Sequence, residues 1–208
     1  INLGQKLNSS LEIYAGQARN LNIRKSLPES IRRAEDLAFI LQSIQKVQGV
    51  LNLKSETVEA LEDGREQIQN KLTPWKKIQA QFERLDKAKA DYLTYPEPLR
   101  PDGSGGWRVR DLVDQMTPLT QIAQGDREMI QLINSKREHL TELDTKAEEL
   151  NGQAYALAQA IQNEAFDEVL GAANRLEILW HRYQPEGFSG LDILIRHRYP
   201  YTERELRQ

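Results

Sequence analysis

The sequence predicts an all-α fold, an elongated antiparallel coiled coil or helical bundle with long heptad helices around a central loop rich in proline and glycine. Apolar residues recur at steps of three and four over most of the chain, which is the spacing of one helix face. Only 39% of the residues are hydrophobic and 28% are charged. That composition suits helices that bury a single stripe better than a thick layered core.

The first half of the chain, residues 1–93, is predicted to form four helical segments. These cover about 3–24, 28–51, 55–72 and 74–93. Ser26 and Glu29 have the spacing of a capping box at the start of the second segment. Thr73 and Pro74 resemble an N-cap and first-turn pair, so we expect the helix to restart or to bend there.

Residues 94–117 are predicted to form the central loop. Three prolines and three glycines lie between Tyr95 and Gly106, and both residue types interrupt regular structure. The stretch 102–106 has the composition of a flexible linker, so we expect it to be poorly ordered and tolerant of replacement. It is either a natural hairpin tip or an engineered join between two segments of one parent protein. The start at Ile1 favours a piece of a longer protein.

The second half, residues 118–208, is predicted to contain one long helix at about 118–163 and two shorter ones, at about 165–183 and 190–198. A helix of that length would span roughly 70 Å, which is typical of a coiled coil. We expect it to run back along residues 55–93.

Asp126 and Lys136 are the two residues that interrupt the apolar stripe of this predicted helix. Buried polar residues in a coiled coil reduce stability but specify register and partner. We therefore predict that Asp126 and Lys136 set the coiled-coil register. The alternative is that the stripe is open to solvent at these two levels.

Two stretches near the carboxyl end, LEILWHRYQP and LDILIRHRYP, repeat the same pattern. The favoured interpretation is two helix ends, because basic residues are stabilised in a last turn and proline stops a helix. The alternative is a basic and aromatic patch that contacts a partner. Its candidate residues are Arg182, Tyr183, Arg196, Arg198 and Tyr199, and Trp107, beside the loop, is a separate candidate for a partner contact. For Trp107, a local anchor is favoured over a stacking contact.

Motifs for chemistry are not found in the sequence. It has no cysteine, no phosphate-binding glycine loop, no histidine pair at metal-ligand spacing and no nucleophile motif. We therefore predict no catalytic residue, no cofactor and no metal site.

The expected function is a non-enzymatic coiled-coil arm or scaffold module of a larger protein, acting as a lever, spacer or protein-docking surface. Chromosome-organising ATPases contain such arms, but no motif selects a family. The expected partners are other protein segments or subunits, including a second copy. A net charge of −3 argues against nucleic acid and membranes. The alternatives are a membrane-surface or curvature-binding bundle and a nucleic-acid accessory module using the C-terminal patch. We expect a cytoplasmic location.

Overall fold

A computed structural model of the chain describes residues 3–23, 26–51, 53–100 and 102–196, with residues 3–5, 166, 195 and 196 described by their backbone only. About 82% of the described residues are helical and none of them forms a strand. The predicted all-α class is confirmed.

Most helix ends lie within one residue of the predicted bounds, but the first helix ends at Arg19 rather than near residue 24, and the predicted end at 198 lies outside the described residues. In chain order the helices are α1 (Leu3–Arg19), α2 (Leu27–Leu51), α3 (Ser55–Thr94), α4 (Arg110–Met116), α5 (Leu119–Ile122), α6 (Arg127–Gln162), α7 (Phe166–Tyr183) and α8 (Leu191–Arg196). They form two compact units. The first unit comprises Ile1–Phe82 and Thr120–Leu132, and the second comprises Glu83–Leu119 and Ile133–Gln208.

In the first unit, α2 and α3 run in opposite directions. Lys76 forms an ion pair with Glu35 at 2.6 Å, whereas Arg65, earlier in α3, donates a hydrogen bond to Gln45, which is later in α2. The start of α2 has the predicted cap, since the Glu29 amide donates to Ser26 Oγ at 3.3 Å.

Helix α1 packs closely against α3. A Cβ on Gly64 would lie 3.2 Å from Ala18 Cβ and 3.4 Å from Ala15 Cα, so glycine allows the two backbones to approach each other. Lys71 then donates a hydrogen bond to the Leu21 carbonyl. Both sequence numbers rise together along these contacts, so α1 and α3 run in the same direction.

Helix α3 continues through Pro74, so a restart at this residue, one of the two predicted outcomes, is wrong. Proline costs a hydrogen bond and crowds the preceding turn. Trp75 and Ile78 directly follow it and are both fully buried. Their packing continues the apolar face across the proline, and tertiary packing of this kind outweighs local propensity.

The predicted helix over 118–163 is divided into α5 and α6 by a turn. Gly125 has a φ of +88°, a conformation that ends helices because side chains disfavour it. Asp126 Oδ1 then accepts a hydrogen bond from the Met129 amide at 3.0 Å, which is an N-cap contact for α6. The three-and-four spacing passes through this turn unchanged, so periodicity alone does not reveal it.

The predicted antiparallel arrangement of α3 and α6 is wrong in the second unit. Asp86 of α3 forms an ion pair with Lys136 of α6. Further along both helices, Trp107 is hydrogen-bonded to Leu93 of α3 and to Asn151 of α6. The two helices therefore run in the same direction. The chain reverses direction at α4. Trp107, before α4, is hydrogen-bonded to Asn151, and Arg110, at its start, is hydrogen-bonded to Asp144, which is earlier in α6.

Helix α7 packs antiparallel to α6 in the second unit. Arg175 donates to Gln153 at 3.2 Å, and Tyr183 donates to Glu149. After α7, a short 3-10 turn at Gln184–Glu186 brings Glu186 to Lys146, with 2.6 Å between Nζ and Oε2. This order places the end of α7 beside Trp107.

Candidate functional site

The central loop is a folded hairpin, which differs from the flexible linker expected from its composition. Glu97 and Gly106 exchange two backbone hydrogen bonds, of 2.9 and 2.8 Å. At the tip, Asp102 Oδ1 accepts hydrogen bonds from the Ser104 amide at 2.9 Å and hydroxyl at 2.7 Å. These bonds lower the pKa of Asp102. This geometry shows an ordered hairpin, and whether the loop is natural or an engineered join stays an open prediction.

Trp107 anchors this hairpin in the second unit and is only 2% exposed. Its indole Nε1 lies 3.0 Å from the Leu93 carbonyl and 3.2 Å from the Ser189 carbonyl. Its backbone amide donates to Asn151 Oδ1 at 2.9 Å, and Asn151 Nδ2 donates to its carbonyl at 3.0 Å. Trp107 is therefore hydrogen-bonded through both its side chain and its backbone. These contacts make it a local anchor, which is the interpretation that the sequence analysis favoured.

Trp107 belongs to a cluster of four aromatic residues. Its ring stacks on Trp180 with centroids 6.0 Å apart and meets the edge of Phe188 at 5.8 Å. Phe188 lies 6.4 Å from Tyr183. Aromatic pairs at these separations add stability beyond the area that they bury. The cluster therefore joins the loop, the end of α7 and the segment before α8.

Tyr183 belongs to this buried cluster rather than to a surface patch. Its hydroxyl donates a hydrogen bond to Glu149, and that bond raises the pKa of Tyr183. Arg182 is exposed and lies with His181 in the last turn of α7, as expected for a helix end. Arg196 ends α8 and its side chain is not described. Arg198 and Tyr199 lie outside the described residues, so the joint patch stays a prediction.

Asp126 and Lys136 both form specific contacts. Asp126 caps α6 with Oδ1, while Oδ2 accepts a hydrogen bond from Trp75 Nε1 at 2.7 Å. Lys136 Nζ lies 2.7 Å from each carboxylate oxygen of Asp86, and its side chain is 24% exposed. Lys136 thus pairs α6 with α3, whereas Asp126 marks a turn and not a coiled-coil position.

We expect Asp126→Ala to lower the free energy of unfolding by about 2–4 kcal/mol, because it removes a helix cap and leaves the buried indole N–H of Trp75 without an acceptor. Ser26→Ala is the matched control, since it removes only a cap, at about 1 kcal/mol. Urea unfolding followed by circular dichroism measures both. Equal losses for the two variants would contradict the role assigned to the Trp75 contact.

The outer face of α2 is an apolar surface that the periodicity of the chain did not indicate. Phe39 is 70% exposed, Val47 45% and Val50 87%, and Ser43 and Lys46 on the same face are also exposed. We call these five residues the α2 outer face. Between Asp36 and Lys54 the sequence holds a single charged residue, Lys46. That charge-poor run, in a chain with 28% charged residues, is the pattern that could have revealed the surface.

The comparisons with known proteins give no relative. No protein-family model, no curated protein and no solved structure is significantly similar to this chain. Among the described residues, no three histidines or carboxylates come together as a group that could hold a metal ion. No described helix has the length and hydropathy needed to cross a membrane.

Proposed function

We propose that this chain is a non-enzymatic helical scaffold module of a larger protein, which acts as a lever, spacer or docking surface. The coiled-coil arm of a chromosome-organising ATPase is one example of such a module. The observation that carries the proposal is the α2 outer face, where Phe39, Val47 and Val50 are exposed on one side of a 25-residue helix. Several exposed apolar side chains on one helix face are typical of an interaction site.

The occupant that we propose for this face is the same face of a second copy. If two α2 helices lie antiparallel with their midpoints between residues 44 and 45 in contact, each Phe39 meets the partner copy's Val50. Lys46 then meets Ser43, so the single charge of the face has no like charge opposite it. A two-fold interface requires a self-complementary surface, and an apolar face with one charge satisfies that requirement.

Pairing of α3 and α6 supports the spacer part of the proposal. The two helices have 40 and 36 residues, and at 1.5 Å per residue the longer one corresponds to about 60 Å. In the second unit they run in the same direction and are joined by the ion pair of Asp86 and Lys136. We propose that this pairing is of the coiled-coil type, with Lys136 specifying its register.

The test of the docking surface is the oligomeric state of the chain. We expect the wild-type chain to dimerise in sedimentation equilibrium, and the double change Phe39→Glu with Val50→Glu to weaken dimerisation about 100-fold or more, because it replaces buried apolar contacts with buried charges. Ile178→Glu is the matched control, since Ile178 is also exposed, at 60%, but lies on α7. A wild-type chain that stays monomeric would contradict self-docking.

The two alternative functions are separated by vesicle and DNA binding of the same variants. Retention on anionic vesicles that the double change at Phe39 and Val50 abolishes would favour a membrane-surface bundle. Salt-sensitive retention on DNA that Arg182→Gln reduces would favour a nucleic-acid accessory module. We expect neither, because the α2 outer face carries one basic residue and Arg182 stands at the end of a helix.

A further inference from the structure

A small cavity in the second unit lies where the end of α3 meets the loop hairpin. Its volume is about 230 Å³, and it is lined by Asp91, Tyr92, Tyr95, Glu97, Gly106 and Arg108. Sites for small molecules usually measure about 300–1,000 Å³. This cavity is therefore of a size to hold one side chain rather than a complete metabolite.

The charges around the cavity favour a cation. Arg108 is already paired with two carboxylates, since its NH1 lies 2.6 Å from Glu97 and its NH2 lies 2.6 Å from Asp111. Its hydrogen bond to Glu97 raises the pKa of Arg108. Asp91 forms no ion pair with any residue that the structure describes. The lining therefore contains two carboxylates and one guanidinium, a net charge of −1, and Asp91 is the lining carboxylate that Arg108 does not pair with.

Two tyrosine rings supply the second element of a cation site. Tyr95 is 68% exposed, and Tyr92, three residues earlier, is half-buried. Aromatic faces attract cations within about 6 Å of the ring centre, and arginine more often than lysine. The cavity therefore combines aromatic surface with an unpaired carboxylate, which is how proteins recognise basic groups.

The wall of the cavity is held in place by the hairpin. The backbone bonds between Glu97 and Gly106 fix one side, and the Asn151 side chain fixes the neighbouring Trp107. A preorganised site loses less entropy when a ligand binds. The backbone of this wall therefore needs no ordering step when a ligand binds.

We propose that this cavity binds an arginine side chain of a partner protein, with the guanidinium stacked on Tyr95 and hydrogen-bonded to Asp91. The planar guanidinium suits this site better than the ammonium of lysine, because it can stack and donate to a carboxylate at the same time. The site lies in the second unit and does not rest on the α2 outer face.

The experiment uses the full chain and two small probes, Nα-acetyl-arginine N-methylamide and its neutral isostere Nα-acetyl-citrulline N-methylamide. We expect the arginine probe to give weak, saturable chemical-shift changes at Tyr92 and Tyr95 in NMR titrations, and the citrulline probe to give none. Equal responses to both probes, or no saturable response to arginine, would overturn the proposal.

Variants at the exposed residues of the cavity test the two proposed contacts. We expect Tyr95→Leu and Asp91→Asn each to weaken binding about threefold or more, because cation–π and charged contacts at exposed sites are worth about that factor. Tyr95→Phe keeps the ring and should bind like the wild type. Asp167→Asn, at an exposed acid on α7, is the control for net charge. Wild-type affinity in Tyr95→Leu, in a chain with an unchanged spectrum elsewhere, would show that the ring is not a contact.

Discussion

Gly106→Ala is expected to lower the free energy of unfolding by about 3 kcal/mol or more, which combines backbone strain with the loss of hydrogen bonds. Gly106 has a φ of +81°, and a Cβ built on it would overlap with Asn151 Oδ1. The Asn151 side chain would have to move, and its two hydrogen bonds to the Trp107 backbone would break. The hairpin would then lose its link to α6.

Two other glycines separate the causes of this loss. Gly125 has a φ of +88° with open space around it, so Gly125→Ala reports backbone strain alone, at about 1 kcal/mol. Gly152 lies in α6 with open space and no positive φ, so Gly152→Ala should stabilise the chain by about 0.5–1 kcal/mol. If Gly106→Ala lowers the free energy of unfolding no more than Gly125→Ala does, the overlap with Asn151 does not contribute to the loss of stability.

The fold class and most helix ends could be predicted from the sequence, because they depend on local features. Ser26 caps α2 through the Glu29 amide, and His181 and Arg182 occupy the last turn of α7. Each of these features acts within one or two helical turns. Side-chain type and spacing are therefore sufficient to place them.

The direction of α6 relative to α3 could not be predicted, because an apolar stripe is the same whether its partner runs up or down. The direction depends on α4, a seven-residue helix inside the segment assigned to the central loop. Its buried residues Leu112, Val113 and Met116 form too short a pattern to be recognised. Without α4 as the returning segment, a simple hairpin of α3 and α6 was the natural expectation.

The candidate sites were the least predictable part. Trp107 and Tyr183 were separate candidates for a partner contact, and the sequence did not indicate that they belong to one buried cluster, because burial depends on neighbours that are distant in sequence. The cavity at Tyr92 and Tyr95 is also lined by Glu97 and Gly106, which pair across the hairpin. The glycine and proline content of the loop indicated mobility. The hairpin is instead held by backbone hydrogen bonds, which composition does not reveal.

Trp107→Ala is expected to cost about 4 kcal/mol of unfolding free energy, within the usual range for removing a buried tryptophan. The indole is 2% exposed, and it lies between Trp180 and Phe188. Its removal leaves a cavity at the point where the loop, the end of α7 and the residue Ser189 meet. The Leu93 and Ser189 carbonyls also lose a donor.

Trp107→Phe separates packing from hydrogen bonding, because phenylalanine keeps a buried ring but cannot donate to either carbonyl. We expect it to cost about 1–3 kcal/mol, the penalty for leaving buried polar groups unpaired together with a small cavity. Circular dichroism at the helix band is the suitable measurement, because the substitution changes the tryptophan fluorescence. Trp180→Ala, at the half-buried stacking partner, should cost less than Trp107→Ala. If the order is reversed, Trp180 and not Trp107 is the residue that holds the hairpin to the second unit.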